Sequence, residues 1–230
     1  MRRTVRLPIP DSLKNNAAQW TEELLKEIAL KGSYSKVGEK FKNRYRQEDI
    51  RNALERMYGR HCCYCESIIG VSAYGRIEHL RPKSRSEFYR YTFEWENLHW
   101  CCEICNTGYK RDRWNFQYPI LDPVEDEIEK YMRLNLTTGE YEEIEGNKRA
   151  ETTISHTGMN RDELVKARRK ITIRFLKDYK AHLKAGSGEA FCREWQILKE
   201  DMSYPSLYEE LIRSVIDRKG ADHIERGGKI

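Results

Sequence analysis

Two Cys-x-x-Cys pairs, Cys62/Cys65 and Cys102/Cys105, limit the folds open to this chain more than any other feature. A two-residue gap turns both sulfurs of a knuckle to one side, and two knuckles close a tetrahedral four-thiolate zinc site with bonds of roughly 2.3 Å. Cys63 and Cys101 stand beside these ligands, but Cys63-x-Cys65 is too tight for a usual knuckle, so the x-x register is preferred on both sides. The competing reading is a set of free cysteines packed as small hydrophobes. Two matched knuckles make metal the better reading, and Cys192, alone in sequence, is assigned to a core. A site closed by four protein ligands is structural, because catalytic zinc keeps a position open.

The surroundings agree with a metal rather than a disulfide framework. No apolar run reaches the length of a membrane span, and the basic N-terminus lacks a signal-peptide core, so a cytoplasmic, membrane-free protein is expected. Disulfides are rare in that compartment. With 39% hydrophobic and 34% charged residues, the chain buries a real core. Its net charge of +5 suits a nucleic-acid partner without demanding one.

Three regions are expected: an N-terminal arm and helices over 1–58, a zinc-stapled core over 59–118, and a hairpin with helices over 119–230. Arg2, Arg3, Arg6, Pro8 and Pro10 mark residues 1–16 as an extended arm, either a loosely packed terminus or a strap. Trp20, Leu24, Leu25 and Ile28 predict a helix over 17–30 that Gly32 stops. Ile50, Leu54, Met57 and Tyr58 predict a second over 47–58. Residues 119–151 carry ten acidic against four basic side chains, with a short hairpin about the Thr-Thr-Gly turn. Asn160, with Glu163 three residues on, predicts the cap of a long helix running to Gly186. Residues 161–185 of it hold nine Lys or Arg against three Asp or Glu, a net of +6, read as a phosphate-facing ridge or a solvated face. Helices over 188–200 and 206–218 follow, the latter with Val215 and Ile216, and then a polar tail.

Between the knuckles, the alternation around His79 predicts a short strand closed by Pro82, and Trp95–Trp100 a turn leading to the second knuckle. Asn106 falls in the first turn of a following short helix, with Lys110 expected on its exposed side. This series, Glu78-His79, Asn97-Leu98 and Cys102-x-x-Cys105-Asn106 with Lys110 beyond, resembles the HNH nuclease family. Cys62-x-Tyr64-Cys65-Glu66 and Glu78-His-Leu-Arg-Pro-Lys-Ser84 are similar to a narrower branch, the HNH subunit of the Septu anti-phage system and its retron-linked relatives. Ile120–Pro123 and Met159–Val165 fit the same pattern, so the likeness covers 62 to about 169. It implies a mainly α, α+β protein with a small ββα-metal core. It also implies a defence effector working with an ABC- or SMC-like ATPase subunit.

The chemistry such a series supports can be stated from the side chains. Phosphodiester cleavage needs an activated water, charge neutralisation and support for the leaving oxygen. A neutral imidazole suits the first task, so His79 is the expected general base. Asn106 and Glu78 are the expected ligands of Mg2+ or Mn2+, a hard cation that keeps most of its positions for water and phosphate. Glu78 stands where many members of the family carry Asp. Asn97 is expected to brace the loop between the strands and so fix the His79 tautomer. Arg81, Lys83 and Lys110 are candidates for phosphate contacts. His99 is assigned to packing, and His61 is a weak alternative zinc ligand. A metal-dependent endonuclease, on DNA more than RNA, is therefore expected. The alternatives are a non-catalytic zinc-knuckle module that binds nucleic acid or protein, and an RNA-cleaving toxin.

Overall fold

The structure, a computed structural model, describes residues 1–70, 74–198 and 202–214. Among the described residues helices dominate, with two small antiparallel sheets of two strands each. The first part is helical: α1 (Asp11–Lys31), a single turn α2 (Glu39–Lys42) and α3 (Glu48–Met57). Ile50, Ala53, Leu54 and Met57 form the buried stripe of α3, as their spacing predicts, and Gly32 closes α1 in the left-handed conformation.

Helix α1 starts six residues before the expected boundary, at Asp11 behind Pro10, because Pro is tolerated at a helix start and Leu13 is buried. The segment ahead of it is not a loose terminus. The Thr4 amide donates to the Pro123 carbonyl at 2.8 Å, Arg6 donates to the Leu98 and Glu96 carbonyls, and the Trp95 indole donates to the Leu7 carbonyl. The Met1 ammonium is buried 2.5 Å from a Glu66 carboxylate oxygen. Residues 1–10 are thus a strap laid on the protein itself, drawn there by carbonyls that the β2 edge and its neighbours leave unpaired.

Strands β1 (Gly75–His79) and β2 (Leu98–Cys102) form the central hairpin, in a register that pairs Gly75 with Cys102 and His79 with Leu98. Every residue of β2 is buried. Gly75 is obligatory here: a Cβ at that position would lie 2.0 Å from the Trp100 ring, which crosses the strand. A seven-residue helical segment, Ile104–Lys110, follows β2. It is wide rather than α-helical, and the Arg111 amide closes it on the Asn106 carbonyl five residues back at 2.7 Å.

The acidic region folds as expected into a hairpin, β3 (Met132–Leu134) with β4 (Tyr141–Glu143). Two corrections follow. A helix absent from the sequence reading, α4 (Lys148–Thr157), is capped by the Asn147 side chain on the Arg149 and Ala150 amides. Helix α5 (Asp162–Lys184) begins after Arg161, and Asn160 does not cap it. The Asn160 amide instead pairs with both backbone groups of Tyr141, each at 2.8 Å, because a buried sheet edge needs that donor and acceptor more than a solvated helix end does. Helix α6 (Gly188–Leu198) and a helix over 205–214 complete the description. The expected continuations of these helices, with Val215 and Ile216, lie outside the described residues, as does His223.

Two apolar clusters result. The larger runs from Met1 to Leu164 and encloses the hairpin and the six clustered cysteines. The smaller joins Phe175, Tyr179, Phe191, Cys192, Leu207 and Leu211. Among the described residues, no helix is long and apolar enough to cross a membrane.

Candidate functional site

One end of the β1–β2 hairpin carries the sulfurs. Past Gly59 and Arg60, both at positive φ, the chain turns into the first knuckle, and the Cys63 amide bonds to the Trp100 carbonyl at 2.9 Å. That bond holds the knuckle against the edge of β2. The second knuckle begins on the last residue of β2. Sulfurs of Cys62, Cys65, Cys102 and Cys105 lie within 4.8 Å of one another, all buried. The Cys65 and Cys102 sulfurs are 3.8 Å apart, which is about the edge of a tetrahedron built on 2.3 Å bonds. The donor set fits zinc, and these four residues would hold it.

A second overlapping set, Cys62, Cys63 and Cys101, offers three sulfurs. Burial pushes the Cys63 and Cys101 thiols well up, so they stay protonated. Cys102 is pulled down to about 4 by hydrogen bonds, first from Cys101 and then from Cys105. The x-x register brings four sulfurs together where the other set brings three, so it is the one suited to a closed tetrahedral site. His61 is not in either set; its Nε2 lies 2.7 Å from the Met202 carbonyl.

Sequence reading missed the group that neutralises this cluster. The Arg161 guanidinium donates to the Cys105 sulfur at 3.3 Å and to the Cys65 sulfur at 3.8 Å. Four thiolates around one divalent ion leave a net double negative charge, and a permanently charged guanidinium halves it. Nothing in the linear spacing marks Arg161, which reaches the knuckle from far along the chain.

The other end of the hairpin carries the imidazole. His79 closes β1, fully buried, with its Nε2 3.0 Å from the Thr92 carbonyl. A carbonyl only accepts, so Nε2 carries the proton and Nδ1 keeps its lone pair. The Tyr45 ring meets the imidazole edge-on at 4.6 Å. Burial, then the nearby Lys83, hold the His79 pKa well below its usual value, so the ring is neutral. The tautomer is thus set by Thr92, not by Asn97.

Asn97 braces the loop between the strands, the first part of the role expected of it. Its Oδ1 accepts from the Arg81 amide at 2.7 Å, and its Nδ2 donates to the Arg81 and Tyr91 carbonyls. Three bonds from one buried side chain fasten both ends of the long loop between the strands. Arg81 and Lys83 project from that loop, half-buried, over the rings of Tyr91 at 4.9 Å and Tyr45 at 4.8 Å.

Glu78, on the opposite face of β1 from His79, is buried with Lys110 and meets the half-buried Asn106. Asn106 Nδ2 lies 2.5 Å from one carboxylate oxygen, and the Lys110 ammonium lies 2.5 Å from the other. Tyr64 donates to that second oxygen at 3.3 Å. Lys110 also donates to the His79 carbonyl at 2.6 Å. The expected exposed position of Lys110 is therefore corrected: only 1% of it is accessible, because a buried carboxylate requires a partner. Glu78 remains raised by burial, with Lys110 opposing. Asn106, Lys110 and Tyr64 together occupy both oxygens of the carboxylate.

No family model matches the chain. It is similar to the Septu protein PtuB of Bacillus mycoides (strain KBAB4), 28% identical over 172 residues, which cover 63% of this chain and 58% of that protein. The chain thus aligns with less than two thirds of the length of its relative.

Proposed function

We propose that this chain is a zinc-clamped, metal-dependent nuclease of the HNH kind, an effector of anti-phage defence that works with an ATPase partner. The observation that supports hydrolysis is a tautomer-fixed, neutral His79 next in the chain to the Glu78–Asn106 pair on the other face of β1, with Lys110 bonded both to Glu78 and to the His79 carbonyl. His79 Nδ1 takes the proton of the attacking water, a role that contributes roughly 10²–10⁴-fold. Glu78 and Asn106 would hold a Mg2+ or Mn2+ ion, which supplies charge neutralisation at the scissile phosphate. Asn97 keeps the loop that carries Arg81 and Lys83 in place beside the imidazole, and those two cations are the proposed phosphate contacts. The likeness to a Septu protein supports the defence role and the partner.

The cysteine cluster by itself supports a non-catalytic zinc module that binds nucleic acid or protein as well or better. The Lys110–Glu78 pair favours that second reading, because the ammonium already neutralises the carboxylate that a catalytic cation would use. The deciding experiment compares wild type with His79→Ala on duplex DNA, single strands and structured RNA, with Mg2+ or Mn2+ and with the partner present. The expected result is cleavage that falls by 10²-fold or more in the variant while zinc content is unchanged. Equal cleavage by both proteins removes His79 as the base; no cleavage by either leaves the binding module.

A further inference from the structure

We infer that the outer face of α5 is a docking ridge for the phosphate backbone of duplex nucleic acid. This deepens the nuclease reading by naming where substrate lies, and it rests on nucleic acid being the partner. The helix divides sharply. Leu164, Arg168, Thr172, Phe175 and Tyr179 face inward, and Arg168 is spent on the Gly139 and Met159 carbonyls. Arg161, just ahead of the helix, is spent on the thiolates.

The remaining cations, Lys166, Arg169, Lys170, Arg174, Lys177, Lys180 and Lys184, are all exposed. At 100° per residue they fall on one arc of about 140°, opposite the buried residues. From Lys166 to Lys184 the ridge is about 27 Å long at 1.5 Å per residue. Asp162 takes Lys166 at 3.3 Å and Asp178 takes Arg174 at 3.6 Å. Among the described residues, Arg169, Lys170, Lys177, Lys180 and Lys184 have no ion-pair partner. The unpaired cations, from Arg169 to Lys184, run for about 22 Å, the length of roughly six to seven base pairs at 3.4 Å each. A protein partner would need a contiguous apolar centre, and among the large hydrophobics of the described residues this face offers only Ile173 and Leu183, ten residues and about 15 Å apart. The ridge is also firmly mounted, since Arg161 ties its origin to the zinc clamp.

The test measures binding of a fluorescent 20-base-pair DNA duplex, and of the matching RNA duplex, to zinc-loaded protein. Chelators and Mg2+ are omitted, and salt is varied. Lys170→Gln/Lys177→Gln/Lys184→Gln is compared with Lys14→Gln/Lys31→Gln/Lys36→Gln, which removes the same charge from other exposed sites. Melting curves verify that both variants fold. The ridge variant is expected to bind at least tenfold more weakly near 100 mM salt, with a log–log salt slope reduced by about 2 to 3, while the control changes less than twofold. Unchanged affinity and slope in the ridge variant, or equal losses in the control, overturn the proposal, whatever either variant does to protein partners. Cleavage with Mn2+ separates the two readings. Ridge-dependent binding without cleavage keeps the ridge and removes hydrolysis; cleavage that is indifferent to the ridge variant does the reverse.

Discussion

The two ends of the β1–β2 hairpin are only about 14 Å apart, four strand steps of ~3.4 Å, yet they solve opposite problems. The Gly75–Cys102 end is closed: four sulfurs meet, a guanidinium damps their charge, and no position is left for a substrate. The His79–Leu98 end is a buried polar network whose members are held one by one: His79 by Thr92, Asn97 by the loop it fastens, Glu78 by Lys110 and Asn106. The first end holds the fold together, and the second holds side chains in set protonation states. A hairpin of five-residue strands has too little core to do either alone, so the closed end stabilises what the polar end makes costly.

The most forceful way to break this comparison is to remove the zinc. Structural zinc is worth roughly 10–16 kcal/mol in small peptides, against a stability of about 5–15 kcal/mol for a whole domain. A strong chelator should therefore collapse both ends together, seen as lost helical circular dichroism and a large drop in melting temperature. An unchanged melting curve would mean that the sulfurs carry no metal load.

Lys110→Met tests the polar end alone. It leaves the Glu78 carboxylate buried without its cation, at an expected cost of about 3–5 kcal/mol by denaturant titration, with zinc content intact. A cost below about 1 kcal/mol would show that Glu78 is already protonated and the pair weak.

The smallest effect is in acid. His99, buried on β2 with its Nδ1 2.5 Å from the Tyr58 hydroxyl, has its pKa held well below the usual 6.5 by burial and then by Arg6. Below about pH 6.5 the unfolded imidazole takes a proton that the folded one refuses. Stability should therefore be flat above that pH and fall by up to about 1.4 kcal/mol per pH unit below it. His79 adds a slope of the same sign, so His99→Phe should remove about half of the combined acid dependence; a slope left unchanged by the variant would show that His99 carries none of it.

The two ends also differ in how far they could be read from sequence. The sulfur end was legible because a knuckle is a local object: two residues between cysteines fix the geometry with no help from the rest of the chain. The strand at His79 and the turn that follows were legible for the same reason, through alternation and Pro82, whereas the segment after β2 is wider than the short helix expected there. What failed was long-range. Lys110 is buried only because Glu78 sits on the neighbouring strand. Asn160 leaves the helix cap because Tyr141 presents an unpaired edge. Arg161 finds sulfurs that its own neighbourhood does not hint at. Helix α4 escaped because Thr152, Thr153 and Thr157 bury hydroxyls that are satisfied by carbonyls four residues back, so its inner face does not look apolar.

The guanidinium on the zinc sulfurs has a chemical corollary. Thiolates that are metal-bound and also accept hydrogen bonds have little electron density left to offer an electrophile, and Cys63, Cys101 and Cys192 are protonated or packed away from solvent. A chain with seven cysteines should thus ignore iodoacetamide and mild peroxide almost as though it had none.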